Sequence, residues 1–236
     1  CRSLDALGVA WRTGGSGRLA AHPEVRDLLA FLRLVVDPGS GTDLYQVATG
    51  APYGLGGTDL TAIMEHARRR HRTPWQVITE LVDQPGLLRL SEATRAGIRR
   101  LVTDMTAAIA ASHEQPVAAV LYGHLRTTGR YASLVARAEA GDDGPLRRVA
   151  QLFELLRDQG TLLTDARAAI VVPHLRALLD AGADPAADDL DPDIDAVAVL
   201  TVQKARGLEF PVVYLAGLAE GRFPARARRD RFALPE

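Results

Sequence analysis

The segment Thr201-Val-Gln-Lys-Ala-Arg-Gly-Leu-Glu-Phe-Pro holds the densest set of chemically able residues in the chain. Lys204 and Arg206 supply positive charge, Gly207 lets backbone approach a ligand closely, and Glu209 can accept hydrogen bonds from sugar hydroxyls. Those residues suit a polyanion, and they equally describe a surface loop after a strand. A second constellation is Ala51-Pro-Tyr-Gly-Leu-Gly-Gly-Thr, where Gly54, Gly56, Gly57 and Thr58 can expose successive amides at a helix N-terminus. Such a terminus is a natural phosphate site, and without further context it is also a plain turn. The helix expected after it carries His66, Arg68, Arg69, Arg70, His71 and Arg72. A run of this kind is a solvated face, or, beside the glycine turn, a source of cations that replace the counterions of nucleic-acid phosphates.

Other residues point to less. Trp11 and Trp75 could stack on bases, but each sits in an apolar helix or strand pattern and reads as core. Asp188, Asp189, Asp191, Asp193 and Asp195 match a metal cluster only by number, since they lack the glycine and terminal glutamate of a calcium loop; they read as a charged linker. Cys1 is the single cysteine and the six histidines are scattered, so no zinc spacing exists and no metal site is expected.

The elements that must position these residues are mostly helical. Val25, Leu28, Leu29, Leu32 and Val36 recur at helical spacing between a helix-starting Pro23 and a stopping Pro38, which predicts an amphipathic helix with one buried stripe. Ile98, Leu101, Val102, Met105 and Ile109 repeat the pattern, as do Leu146, Val149, Leu152, Phe153 and Leu156. Thr73, Pro74 and Gln76 supply an N-cap, an N1 proline and a capping-box partner ahead of another helix. Breaks fall at 37–41, 50–57, 141–145 and 182–192, the last being acidic and rich in Ala, Asp and Pro. After it the pattern changes: AVAVLTV (196–202) and PVVYLAGL (211–218) read as strands buried in a parallel sheet, and the apolar piece at Leu7 to Trp11 is assigned to the same kind of domain.

With 236 residues, 47% hydrophobic and 24% charged, the chain is long enough to bury a core without disulfides. No run approaches the roughly 18 apolar residues of a membrane span, and the opening CRSLDALGVAWRTGG lacks the order of a signal peptide, so a cytoplasmic location without membrane contact is expected. A formal net charge of −1 means that any nucleic-acid contact must come from local patches.

TVQKARGLEFPVVYLAGLAEGRFP resembles motif V of superfamily 1 DNA helicases of the UvrD/Rep/PcrA group, a Thr, a His, a Lys-Gly-Leu-Glu-Phe core, an apolar strand and a Gly-x-Phe-Pro ending. GVAWRTGGSGRLAAHPEVRDLLAFLRLVVDP is similar to the start of that group's 2B subdomain, and the 51–58 turn to its Pro-x-Arg-Gly-Ile-Gly-x-x-Thr turn, which contacts duplex DNA. The resemblance implies a mainly α fold: a helical 2B subdomain at 13–195, flanked at 1–12 and 196–236 by pieces of an α/β RecA-like motor domain. Nucleotide contact is implied for Arg206, Gly207 and Glu209, with Glu209 near the ATP ribose. Contact with single-stranded DNA is implied for Thr201 and Gln203, and with duplex DNA for Gly54, Gly56, Gly57, Thr58, Arg68, Arg69 and Arg72. Three departures stand out: Gln203 replaces the usual His, Arg206 the usual Lys, and Tyr53 the usual basic residue of the turn. Arg206 keeps the charge and adds a bidentate fork.

The implied parent is an ATP- and Mg2+-dependent 3′-to-5′ DNA helicase of repair, recombination or replication, in which this part modulates unwinding and repair proteins are further partners. Lacking Gly-x-x-x-x-Gly-Lys-Ser/Thr, the chain alone is expected to be catalytically inactive, with no catalytic residue and no bound cofactor of its own. The competing expectation is a non-motor helicase-like subunit whose 2B part docks proteins, with Gln203, Arg206 and Tyr53 as signs of decay.

Overall fold

A computed structural model of the chain describes residues 2–13, 19–163, 165–180, 196–200, 202, 205–207 and 209–219. Within them run α1 (Arg2–Ala6), β1 (Trp11–Thr13), a 3-10 turn at Leu19–Ala21, α2 (Pro23–Val36), α3 (Gly41–Thr49), α4 (Gly57–Arg69), α5 (Pro74–Asp83) and α6 (Glu92–Ser112). They are followed by α7 (Val117–Thr127), α8 (Arg130–Glu139), α9 (Gly144–Leu162), α10 (Ala168–Asp180) and β2 (Val197–Val199). The molecule is therefore mostly helical, and the described residues contain no helix long and apolar enough to cross a membrane.

Local chemistry fixes the helix starts. The Thr73 side chain accepts from the Gln76 amide while the Gln76 side chain accepts from the Thr73 amide, the expected capping box. Ser40 and Ser91 cap α3 and α6 by accepting from the amides of Asp43 and Thr94. These side chains satisfy amides that a helix start otherwise leaves bare.

One expectation fails on α2. In place of a single stripe, Val25, Leu28, Phe31, Leu32, Leu34 and Val35 are buried around most of its circumference. The reason is its place: α3, α6, α7, α9 and α10 all pack against it, so almost every face meets a neighbour. Leu44, Leu60, Ile63, Ile78, Ile98 and Leu101 complete the centre of the core. Trp75 is partly buried against this core, and Trp11 is partly buried on β1.

The chain divides into residues 1–199 and 200–236. In the first unit β1 and β2 pair in parallel, Trp11 opposite Val197, and the Val197 amide donates to the Ala10 carbonyl at 2.9 Å. The chain thus leaves and rejoins the helical body at one place. In the second unit the strand expected at 211–218 is absent: those residues are irregular and exposed. A β-branched run becomes a strand only where neighbours supply hydrogen bonds and cover its faces, and no described residue of this unit lies in a strand. The break at 182–192 and the five aspartates from 188 to 195 lie outside the described residues.

Candidate nucleic-acid interface

The glycine turn is folded by alternation. Tyr53 and Leu55 point into the core, whereas Gly54, Gly56, Gly57 and Thr58 are exposed. The amides of Tyr53 and Gly54 both donate to the Gly50 carbonyl, at 3.0 and 2.8 Å, and Gly54 takes φ 61°, a left-handed value that favours glycine. Against the turn lies α6, where Gly97 is required: a Cβ there would stand 2.4 Å from the Tyr53 carbonyl oxygen. This packing gives Tyr53, which replaces the usual basic residue of the turn, a place in the core. Its ring is buried, its hydroxyl donates to Asp104 at 3.2 Å, and burial with the Asp104 charge raises its pKa, so it stays neutral.

Gly56 is the N-cap of α4 and offers no side-chain cap, which leaves the helix start open to an external acceptor. Asp59, two residues inside that start, is committed elsewhere: it accepts from the Ser91 amide and hydroxyl at 3.1 and 2.7 Å, tying α4 to α6. Hydrogen bonds from Thr94 and Ser91 hold its carboxyl below the usual range. The half-exposed Tyr45 has its hydroxyl 3.8 Å from where a Gly57 Cβ would stand. It is a donor beside the turn that the sequence reading missed; its only signal was an aromatic on the polar side of the α3 pattern.

The arginine run does not join this turn. It lies at the opposite end of α4, ten residues from Thr58 to Arg68, which is about 15 Å of helix. The helix itself stops at Arg69, and His71 takes φ 53°, so the run bends into a turn rather than lying along one face. Arg68 and Arg69 are exposed and make no ion pair with any described residue. Arg72 is engaged: it forms an ion pair with Glu80 and donates to the Gln76 carbonyl at 3.5 Å. A single patch uniting Gly54–Thr58 with Arg68–Arg72 is therefore replaced by two separate ends.

In the second unit Arg206, Gly207 and Glu209 are exposed, and Gly207 takes φ 81°. A side chain would strain the backbone there, which gives the glycine a conformational reason. Thr201, Gln203 and Lys204 lie outside the described residues. Among the described residues no group of three or more His, Cys, Asp or Glu side chains converges as a metal site. One buried titratable group stands apart from both ends. His124 of α7 is stacked on Phe31, ring centroids 3.6 Å apart, and burial with a contribution from the Arg130 charge lowers its pKa to about 3.

A family model, the UvrD-like helicase C-terminal domain, matches residues 90–236. DNA helicase II of Salmonella typhimurium is 26% identical over 230 residues, covering 97% of this chain and 31% of the relative. The ATP-dependent DNA helicase PcrA of Bacillus subtilis is 25% identical over 227 residues, 94% of this chain and 30% of the relative. The ATP-dependent DNA helicase Rep of Escherichia coli is 23% identical over 243 residues, 97% of this chain and 33% of the relative. The chain spans about a third of the length of these relatives. With the family model covering more than half of the chain and these relatives aligned along nearly all of it, the chain belongs to the UvrD-like helicase C-terminal family, of the UvrD/Rep/PcrA type.

Proposed function

We propose that this chain serves as the 2B-type regulatory part of an ATP-dependent 3′-to-5′ DNA helicase working in repair, recombination or replication, and that it holds duplex DNA by its backbone. On this reading residues 13–195 form the helical insertion, and residues 1–12 and 196–236 belong to the RecA-like motor domain. The observation that carries it is the open N-terminus of α4, where Gly54, Gly56, Gly57 and Thr58 face solvent in a chain of this family. Amides at a helix start bind a phosphate oxygen without reading a base, so the contact is independent of DNA sequence. Arg68 and Arg69 meet further phosphates from the other end of the helix, and Arg72 contributes only if it leaves Glu80.

Nucleotide chemistry on this reading is shared with the rest of the parent. Arg206, Gly207 and Glu209 reach an ATP bound mainly by other segments, Glu209 towards the ribose, and Thr201 and Gln203 touch single-stranded DNA. The exposure of Arg206 and Glu209 and the left-handed Gly207 fit a loop that meets a ligand at its edge. Hydrolysis of Mg2+-bound ATP would supply the free energy of translocation, and these residues would sense the nucleotide rather than break its bond.

Gly56→Asp tests the duplex contact. Aspartate is a good N-cap, φ at this position is −63°, and a Cβ meets nothing nearer than the Thr94 hydroxyl at 3.8 Å, so the fold tolerates it. The same carboxylate occupies the amides and repels phosphate. Fluorescence anisotropy on a labelled duplex at low salt then shows weaker binding with unchanged or raised thermal stability. Wild-type affinity in Gly56→Asp rejects the contact and moves weight to the protein-docking alternative, which the replacement of the turn's usual cation by Tyr53 favours.

A further inference from the structure

Glycine weakens a helix interior, so one that sits there needs a reason. Gly97 of α6 and Gly160 of α9 have theirs within the chain: a Cβ would stand 2.4 Å from the Tyr53 carbonyl oxygen at the first and 3.1 Å from the Ala166 methyl at the second. Gly123, in the middle of α7, has none, since it is exposed and a Cβ there would meet no atom within 4 Å. The bare position opens into a groove of about 330 Å3 between α6 and α7, floored by Ala107, Ala108 and Ala111 on one helix and by Ala119 and Gly123 on the other. We infer that this groove receives an acidic amphipathic helix from a separate protein partner.

His124 is a second sign of an occupant. It is 7% exposed and lines the groove, and neither ring nitrogen hydrogen-bonds to a described residue. A buried polar group without a partner takes one from whatever fills the space beside it. The lining runs from Thr103 to Ala111 on α6 and from Ala119 to Thr127 on α7, about 12 Å of each, which is the reach of two helical turns with apolar side chains on one face. Tyr122 and Arg126 stand three residues on from Ala119 and Gly123, on the neighbouring row of α7. Tyr122 is half-exposed, and Arg126 lies over its ring at 5.9 Å without an ion pair to any described residue. Tyrosine and arginine are the side chains that dominate protein contacts.

Charge selects the partner. No Asp or Glu occurs from Gln115 to Ala138, and the one carboxylate lining the groove, Asp104, is held by the Tyr53 hydroxyl at 3.2 Å and by Arg100 at 3.8 Å. Arg126 is thus offered to a carboxylate with no acid of this stretch to compete. A nucleic-acid strand fits less well, because Arg130 and Arg137 of α8 are already paired with Asp27 and Asp142. A single free cation suits one carboxylate beside an apolar stripe, whereas a strand presents a row of phosphates to neutralise.

The groove goes beyond the duplex contact and does not depend on it. A phage-displayed library of random peptides about 15 residues long is selected on the full chain and counter-selected on Gly123→Gln. Glutamine is a better helix former than glycine and reaches into the groove, so this variant melts at or above the wild-type temperature while closing the site. The expected peptides carry apolar residues at helical spacing with Asp or Glu beside them. A fluorescein-labelled copy of the leading one binds Gly123→Gln at least about tenfold more weakly than wild type, and Arg126→Glu about fivefold more weakly. Arg147→Glu, whose arginine is exposed on α9, retains wild-type affinity. No enrichment, equal binding to wild type and Gly123→Gln, enriched peptides without acidic residues, or equal losses in Arg126→Glu and Arg147→Glu each overturn the inference. An enriched sequence that matches another segment of the helicase parent overturns the separate partner. A labelled single strand of DNA that loses affinity in Gly123→Gln overturns the protein occupant. Thermal melts of all four proteins exclude unfolding as the cause.

Discussion

Two short stretches of this chain are nearly the same in composition and lie in opposite surroundings. In α10, within Ile-Val-Val-Pro-His-Leu, Val171 and Val172 are 0% and 5% exposed. In Pro-Val-Val-Tyr-Leu-Ala-Gly-Leu of the second unit, Val212 and Val213 are 68% and 70% exposed and Tyr214 is 90% exposed. The first pair has α2 and α9 packed against its helix; the second has no helix or strand around it among the described residues of its own unit. Apolar type states a demand for burial, and neighbours decide whether it is met. At roughly 25 cal/mol per Å2, covering a valine or leucine is a contribution of about 1.5 to 3 kcal/mol that depends on what stands opposite.

If that contrast is right, stability resides in the body and disturbances there dominate. Gly97→Leu has the largest effect expected, because its Cβ would fall 2.4 Å from the Tyr53 carbonyl oxygen and 2.8 Å from Leu55 Cδ1. Overpacking at the α6 contact destabilises the fold by about 3 kcal/mol, read as a lower urea midpoint. A wild-type midpoint means that the turn and α6 do not pack as described.

Next comes acid. His124 protonates near 6.5 when unfolded and near 3 in the body, so between those values the unfolded state binds more protons and stability rises with pH. This contribution is complete above about pH 6.5 and is lost as pH falls towards 3, amounting to about 2 kcal/mol at pH 5. Urea titrations at pH 7 and 5, compared with His124→Phe, measure it: the wild type loses stability over this interval more steeply than the variant. Equal slopes place His124 in water.

The smallest effect belongs to the second unit. Tyr214→Ser changes the unfolding free energy of this chain by no more than about 0.5 kcal/mol, since almost no area is returned to water. A larger loss, measured by the same urea titration, would show that 211–218 is covered and would dissolve the comparison.

The same contrast explains what was legible in the sequence. The helices were readable where their signals are local: the Thr73–Pro74–Gln76 cap, the Pro23 start, the stripe from Ile98 to Ile109. Most of the failures are matters of partnership. The all-round burial of α2 depends on four helices distant in sequence besides the adjacent α3, and the Tyr53–Asp104 bond joins residues 51 apart. The Asp59–Ser91 tie spans 32 residues. Gly97, isolated in a helical pattern, was the one available sign of a close approach. Distance along a helix was also readable in advance, since the rise per residue separates Gly56 from Arg68 before any fold is known.

The parallel pairing of Trp11–Thr13 with Val197–Val199 has a consequence in time. From Trp11 to Val197 is 197 − 11 = 186 residues, and at about 5 to 20 residues per second the first strand waits roughly 10 to 40 s on the ribosome for its partner. Helices whose contacts are local form in a small fraction of that interval. The helical body is thus complete while the strand edge beneath it is still unpaired, and the last event of synthesis over this stretch is the closing of a seam between its two ends.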